Sequence, residues 1–148
     1  MNCKEKNYEL ISEISAYDDQ DVTFNNDYEL DEKFIKKSDF SVNIANVILV
    51  PMKKLSCTMS ETMEESLSGT YYKVEISWDV DGNSKEEYQT LSLLKESFKH
   101  LIIRAFGDRE SFVRSNEDGY RFSMEEDSGV IKCKLSIMNK CGIQRILE

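Results

Sequence analysis

The side chains with the widest chemical reach are scarce in this chain. There is one histidine, His100, and there are four cysteines, Cys3, Cys57, Cys133 and Cys141. One histidine excludes zinc sites built on two or three histidines of a single chain. Any Ser-His or Cys-His nucleophile would depend on that one ring. His100 follows Lys99 in a stretch with helical spacing and reads as a partly exposed surface histidine. No two cysteines stand in C-x-x-C spacing, so a zinc ribbon is not expected. Cys133 alternates with Ile131, Leu135 and Ile137 and is expected in the core as a small hydrophobe. With no apolar leader after Met1, the four cysteines read as free thiols, and no structural disulfide, metal or cofactor is expected. The six glycines match neither G-x-G-x-x-G nor G-x-x-x-x-G-K-[ST], which leaves phosphate-binding loops of those kinds unsupported.

Carboxylates are the abundant reactive group. Asp18, Asp19, Asp21, Asp27, Glu29, Asp31 and Glu32 fall within fifteen residues that contain no lysine or arginine. Clustered carboxylates speed association with a basic partner and repel wrong ones. These seven are therefore the candidate partner-binding residues, with Phe24 and Tyr28 as apolar anchors that charge alone does not provide. The competing readings of the same segment are a solvated acidic loop and a divalent-cation site. Asp79-Val80-Asp81-Gly82-Asn83 begins like a calcium loop, but Ser84 and Thr90 stand where glycine and glutamate belong, and a hairpin turn explains the same residues. A pair of carboxylates could act as general acid and base. With 28 acidic residues, however, the sequence nominates no particular pair. Glu125-Glu126-Asp127 reads as a solvated turn, and Tyr71, in the outward register of a strand, as a contact residue.

Charge separates function classes further. The 148 residues carry 19 Lys+Arg and 28 Asp+Glu, a formal net charge of −9. Residues 1 to 65 hold 7 basic and 14 acidic side chains, so the first part of the chain carries most of the excess. Such a balance argues against nucleic acid, whose phosphates need a basic face. A local basic patch from Lys95, Lys99, Arg104, Arg109 and Arg114 is the one exception. No apolar run approaches the ~20 residues of a membrane span, and a cytoplasmic protein with no membrane partner is expected.

The elements that must position these residues follow from periodicity. Leu10, Ile11, Ile14 and Tyr17 share a helical face, predicting a short helix over 8–17. Phe40, Val42, Ile44, Ile48 and Val50 alternate into a strand ending at Pro51. Thr58-Met59-Ser60-Glu61 fits a capping box, followed by Met59, Met63 and Leu67 at helical spacing and then Gly69, predicting a second short helix. Tyr72, Val74, Ile76, Trp78 and Val80 give the cleanest strand, with Trp78 in the core. Asp81-Gly82 suggests a hairpin into a returning strand over 85–91, in competition with a helix started by the Ser84-Lys85-Glu86-Glu87 capping box. Leu94, Phe98, Leu101, Ile102 and Ala105 predict the main helix, 92–106, with Lys95, Lys99 and Arg104 facing outward. Strands follow at 111–115, around Tyr120, Phe122 and Met124, and over Ile131 to Ile137, with turns at 117–119 and 127–129. A tail then offers Ile143, Ile146 and Leu147 for docking.

These elements predict one α+β domain over 1–148, an antiparallel sheet of about five or six strands with one main helix and one or two short helices packed on it. The function expected first is that of a small acidic binding or inhibitor protein docking on a basic protein surface. An immunity or antitoxin-like protein, covering the positive cleft of a toxin that cleaves nucleic acid, has this size and charge. The alternative is a small carboxylate-based hydrolase, or a small-molecule-binding domain with a pocket between sheet and helix.

Overall fold

In a computed structural model, which describes residues 3–5, 9–25 and 33–148, the chain is mostly β. Its strands are β1 (Cys3–Glu5), β2 (Glu9–Asp18), β3 (Val22–Phe24), β4 (Phe34–Lys36), β5 (Phe40–Val42), β6 (Ile48–Leu49), β7 (Cys57–Ser66) and β8 (Gly69–Asp81). One helix, α1 (Lys85–Ser92), then precedes β9 (Lys99–Ala105), β10 (Glu110–Val113), β11 (Tyr120–Asp127), β12 (Val130–Asn139) and β13 (Ile143–Leu147). Eleven strands form one sheet in the order β11-β12-β8-β7-β2-β9-β10-β13-β4, with β1 added to β7 and β6 to β2. Among the described residues, only β13 and β4 pair in parallel. β3 and β5 make a separate two-stranded sheet.

The expected α+β domain of five or six strands is thus replaced by a β architecture with a single α-helix among the described residues. Each departure has a local cause. In β2, Ile11 pairs with Ala105 and Glu13 with Arg104, so Ser12 is an extra residue in a β-bulge. The bulge resets the alternation and turns both Ile11 and Ile14 inward. Its i, i+3 spacing imitates a helix. The methionines of β7 are four residues apart, a spacing shared by two strand repeats and one helical turn. Cys57, Met59 and Glu61 are all buried, which is period two.

β9 departs for a different reason. Leu101, Ile103 and Ala105 enter one core while Ile102 packs in another. A strand covered on both faces is apolar in both registers and satisfies a helical template equally well. The segment 85–91 resolves the other way from the expected hairpin. Ser84 Oγ accepts the Glu87 N–H at 3.2 Å and α1 begins there. The strand expected over 40–50 is split, because the Asn43 side chain accepts from the Ala45 N–H and starts a short 3₁₀ turn between β5 and β6. The C-terminal tail is β13, inside the sheet between β10 and β4.

Other expectations match the structure. Val74, Ile76, Trp78 and Val80 of β8, and Ile131, Cys133, Leu135 and Ile137 of β12, are buried on one face. Ser128 and Gly129, at φ 54° and 83°, form the two-residue turn between β11 and β12. On this inner face the main core is closed by Leu91 of α1 and Leu94, both fully buried. On the opposite face of β2, β9, β10 and β13, the small β3–β5 sheet covers a second core of Tyr17, Val22, Ile35, Phe40 and Phe112. Among the described residues, no helix is long and apolar enough to cross a membrane.

Candidate functional site

The acidic segment begins where β2 ends, and its first two carboxylates point to opposite faces of the sheet. Asp18 and Lys99 are register partners, as are Tyr17 and His100. On the inner face, the Lys99 ammonium, 2% exposed, lies 2.7 Å from Asp18 Oδ1. Its other donors reach the Ser97 carbonyl at 3.1 Å and the Ser97 hydroxyl at 2.9 Å. All three N–H groups of a buried cation are satisfied, as burial of a charge requires. Ser97 Oγ also donates to Asp18 Oδ1 at 2.9 Å. Burial acts to raise the Asp18 carboxyl, but the hydrogen bonds from Lys99 and Ser97 and the Lys99 charge outweigh it and hold the group below the usual carboxylate range. Lys99 was expected to face outward, and the burial of both faces of β9 is what places it inside.

On the other face, His100 is buried rather than partly exposed. Its Nδ1 accepts the backbone N–H of Ser115 at 2.9 Å, and its Nε2 lies 2.7 Å from Asp19 Oδ1. An Nδ1 that accepts carries no proton, so the ring is the neutral Nε2–H tautomer and Nε2 donates to the carboxylate. Burial lowers the His100 pKa, and the hydrogen bond to Asp19 opposes that shift without cancelling it. Both nitrogens are committed, so the ring has no lone pair to offer a substrate proton. His100 is held further by edge contacts from Phe24 and Phe98 and by stacking with Phe112 at 6.0 Å. It is a structural knot between β2, β9 and the segment after β10.

That segment forms one wall of a groove of about 450 Å³, lined by Tyr71, Arg114, Ser115, Asn116, Asp118, Gly119 and the stretch Met138–Cys141. The Arg114 guanidinium lies 4.0 Å over the Phe24 ring. Ser115 Oγ is buried, with no hydrogen-bond partner among the described residues. The groove floor is braced by Asn139, whose amide donates to the Arg114 and Gly142 carbonyls and whose carbonyl accepts the Gly142 N–H. Gly142 sits at φ +67°, and a Cβ there would run into the Glu61 carboxylate and the Tyr72 ring. Glu61 Oε2 in turn accepts the Ile143 N–H at 2.7 Å. The groove lies at the strand ends, not between sheet and helix as the small-molecule alternative expects, because Leu91 and Leu94 fill that space.

A second acidic surface is built at the far end of β8. Asp81 pairs with Val130, and Val130 with Asp127. The Gly82 N–H donates to the Gly129 carbonyl at 3.0 Å, an approach that any Cβ on Gly82 would block. The pairings set Asp81 and Asp127 on either side of Val130, with Glu125 and Glu126 next along β11 and the Lys132 ammonium 3.6 Å from Asp79. Tyr88 of α1 is 51% exposed. Asp79-Val80-Asp81-Gly82-Asn83 is a strand end and turn, in which Asp81 Oδ1 accepts the Asn83 N–H.

Of the sequence-predicted partner residues, Asp18 and Asp19 are engaged by Lys99 and His100. Asp21 is buried, with its Oδ2 unpartnered among the described residues, and Phe24 is packed against His100, Phe112 and Arg114. Asp27, Tyr28, Glu29, Asp31 and Glu32 lie outside the described residues. Tyr71 lines the groove. Sequence reasoning missed the Lys99–His100 doublet as the complement of Asp18–Asp19. Its one signal is that a lysine and the lone histidine interrupt an otherwise apolar run. Burial raises the thiols of Cys57 and Cys133 to about 12 and that of Cys141 to about 11, so at neutral pH they stay protonated and unreactive. No family model, no curated protein and no solved structure matches this chain.

Proposed function

We propose that this protein is a non-enzymatic binding protein that docks on a basic protein surface. A toxin with a positive nucleic-acid cleft is the class of partner its charge fits. The observation that carries the reading is the acidic corner at which the sheet sets Asp81 in one row with Asp127, beside Glu125 and Glu126, all exposed. Clustered exposed carboxylates steer a basic partner and exclude wrong ones. The reading also draws support from the side chains best suited to catalysis. His100 is locked by two hydrogen bonds, and the thiols of Cys57, Cys133 and Cys141 are buried. A cytoplasmic setting, which keeps thiols reduced, agrees with those free cysteines. Asp27, Glu29, Asp31 and Glu32 stay candidates for the same surface.

The test begins with affinity capture from native lysate and identification of the bound protein. Association kinetics with that protein are then measured at several salt concentrations. Two folded variants are compared with wild type, one with Glu126 and Asp127 changed to lysine, the other with Asp27, Glu29, Asp31 and Glu32 changed to lysine. Slower association with a flatter salt dependence in the first variant supports the corner, and in the second the acidic segment. A captured partner with an acidic surface, or unchanged rates in both variants, overturns the reading.

A further inference from the structure

Among the described residues the sheet has two free ends, and they are built differently. At one end is β4, only three residues long, carrying Lys36 and followed by Lys37. Short length and lysines are the usual guard against edge-to-edge pairing. At the other end is β11, eight residues long, with no strand on its outer edge among the described residues. The turn after α1 meets it at its beginning, where Tyr120 Oη donates to the Leu94 carbonyl at 2.9 Å. Phe122 and Met124 point to the inner face but stay half-exposed, since no neighbouring strand completes the core beside them. Phe122 stacks on Trp78 at 5.9 Å. Arg121, Ser123 and Glu125 lie exposed on the outer face.

We propose that the outer edge of β11 is the docking edge for a second copy of this chain, paired antiparallel about a twofold axis with Ser123 opposite its own counterpart. Charge complementarity selects this occupant and this register. With Ser123 at the axis, Arg121 of each copy faces Glu125 of the other, and Phe122 faces Met124. Each interface therefore holds two Arg–Glu pairs on the outer face and two aromatic–methionine pairs on the inner face, the cross-strand pairs that stabilise antiparallel ladders. The register partner of Glu125 in β12 is Lys132, whose ammonium lies 3.6 Å from Asp79, so the partner copy's Arg121 is the cation that the dimer brings to Glu125. A twofold axis makes the contact isologous and self-limiting, which closes the edge instead of propagating it.

The register is tested by cross-linking. In a Cys3→Ser background, Ser123→Cys places two sulfurs directly opposite each other, at a Cα separation of about 4.5–5.5 Å that a disulfide spans. Arg121→Cys places them about 13 Å apart, four strand residues out of register. Mild oxidation should give a covalent dimer from the first variant and not from the second. Charge is tested in parallel by sedimentation equilibrium on the full chain. Arg121→Glu and Glu125→Arg should each weaken dimerisation about tenfold or more, and the double exchange should restore it to within about threefold of wild type. Circular dichroism and thermal melting confirm that each variant is folded. A wild-type protein that stays monomeric at about 100 μM, a dimer indifferent to both single exchanges, or equal cross-linking of the two cysteine variants overturns the proposal.

Discussion

Asp18→Ala is the most informative single perturbation, because it leaves a cation stranded. Lys99 is 2% exposed and 2.7 Å from Asp18 Oδ1. At an effective dielectric constant of about 20, that separation is worth roughly 6 kcal/mol of gross attraction. Most of this offsets the cost of taking the ammonium out of water, several kcal/mol per ion. Removing the carboxylate keeps that cost and loses the attraction, and breaking a buried pair in this way typically costs about 3–5 kcal/mol. Asp18 is itself 32% exposed, so water can replace part of its contribution, and we expect about 2–3 kcal/mol. Lys99→Met keeps an apolar stem in place of the cation and leaves unpaired only the Asp18 carboxylate, which water and the Ser97 hydroxyl still reach, so it should cost about 1 kcal/mol. The double variant should then cost little more than Lys99→Met alone, a coupling of about 2 kcal/mol. Urea unfolding of the four proteins at pH 7 measures the cycle. A loss below about 1 kcal/mol for Asp18→Ala, or additive effects, would refute the account of Lys99 as a buried ion held by Asp18.

Three further outcomes are expected. Burial lowers the His100 pKa below its unfolded value, so the unfolded chain binds the extra proton first. Stability is therefore full above about pH 6.5 and falls as pH drops through that value, with a slope of at most about 1.4 kcal/mol per pH unit. Asp18, also lowered, adds a second loss at more acid pH. In His100→Gln the slope between pH 5.5 and 6.5 should vanish, because the chain has no other histidine, and denaturant unfolding across that range checks it. Trp78→Ala removes a ring that is 1% exposed and stacked on Phe122, and should cost about 3–5 kcal/mol in the same assay. Gly142→Ala forces a Cβ into a left-handed position against Glu61 and Tyr72, and should lower stability by about 2–4 kcal/mol, well above the ordinary cost of alanine at positive φ.

Where burial is one-sided, local pattern was sufficient. Tyr72 to Val80 and Ile131 to Ile137 alternate because one face of each strand meets the core and the other meets water. Asp127-Ser128-Gly129 turns because a two-residue hairpin needs positive φ at both central positions, and glycine supplies one of them freely. Trp78 and Cys133 were legible as core residues for the same reason. The excess of carboxylates, and with it the class of partner proposed, is a property of composition that no fold can change.

Tertiary structure decided everything that depends on what covers a strand. Lys99 to Ala105 has apolar residues in both registers, and only the β3–β5 sheet on one side and the main core on the other make it a strand. Ile11 and Ile14 mimic a helix until the pairing with β9 reveals the bulge at Ser12. The two acidic surfaces were divided in the same way. Asp18 and Asp19 are consumed because the register of β2 against β9 puts Lys99 opposite Asp18 and brings His100 within reach of Asp19 just beyond the strand, across about eighty residues of chain. Asp81 and Asp127 become neighbours only through the pairing of β12 with both β8 and β11. A carboxylate's type is local, but whether it is neutralised or offered to a partner is set by which distant residue the sheet places against it.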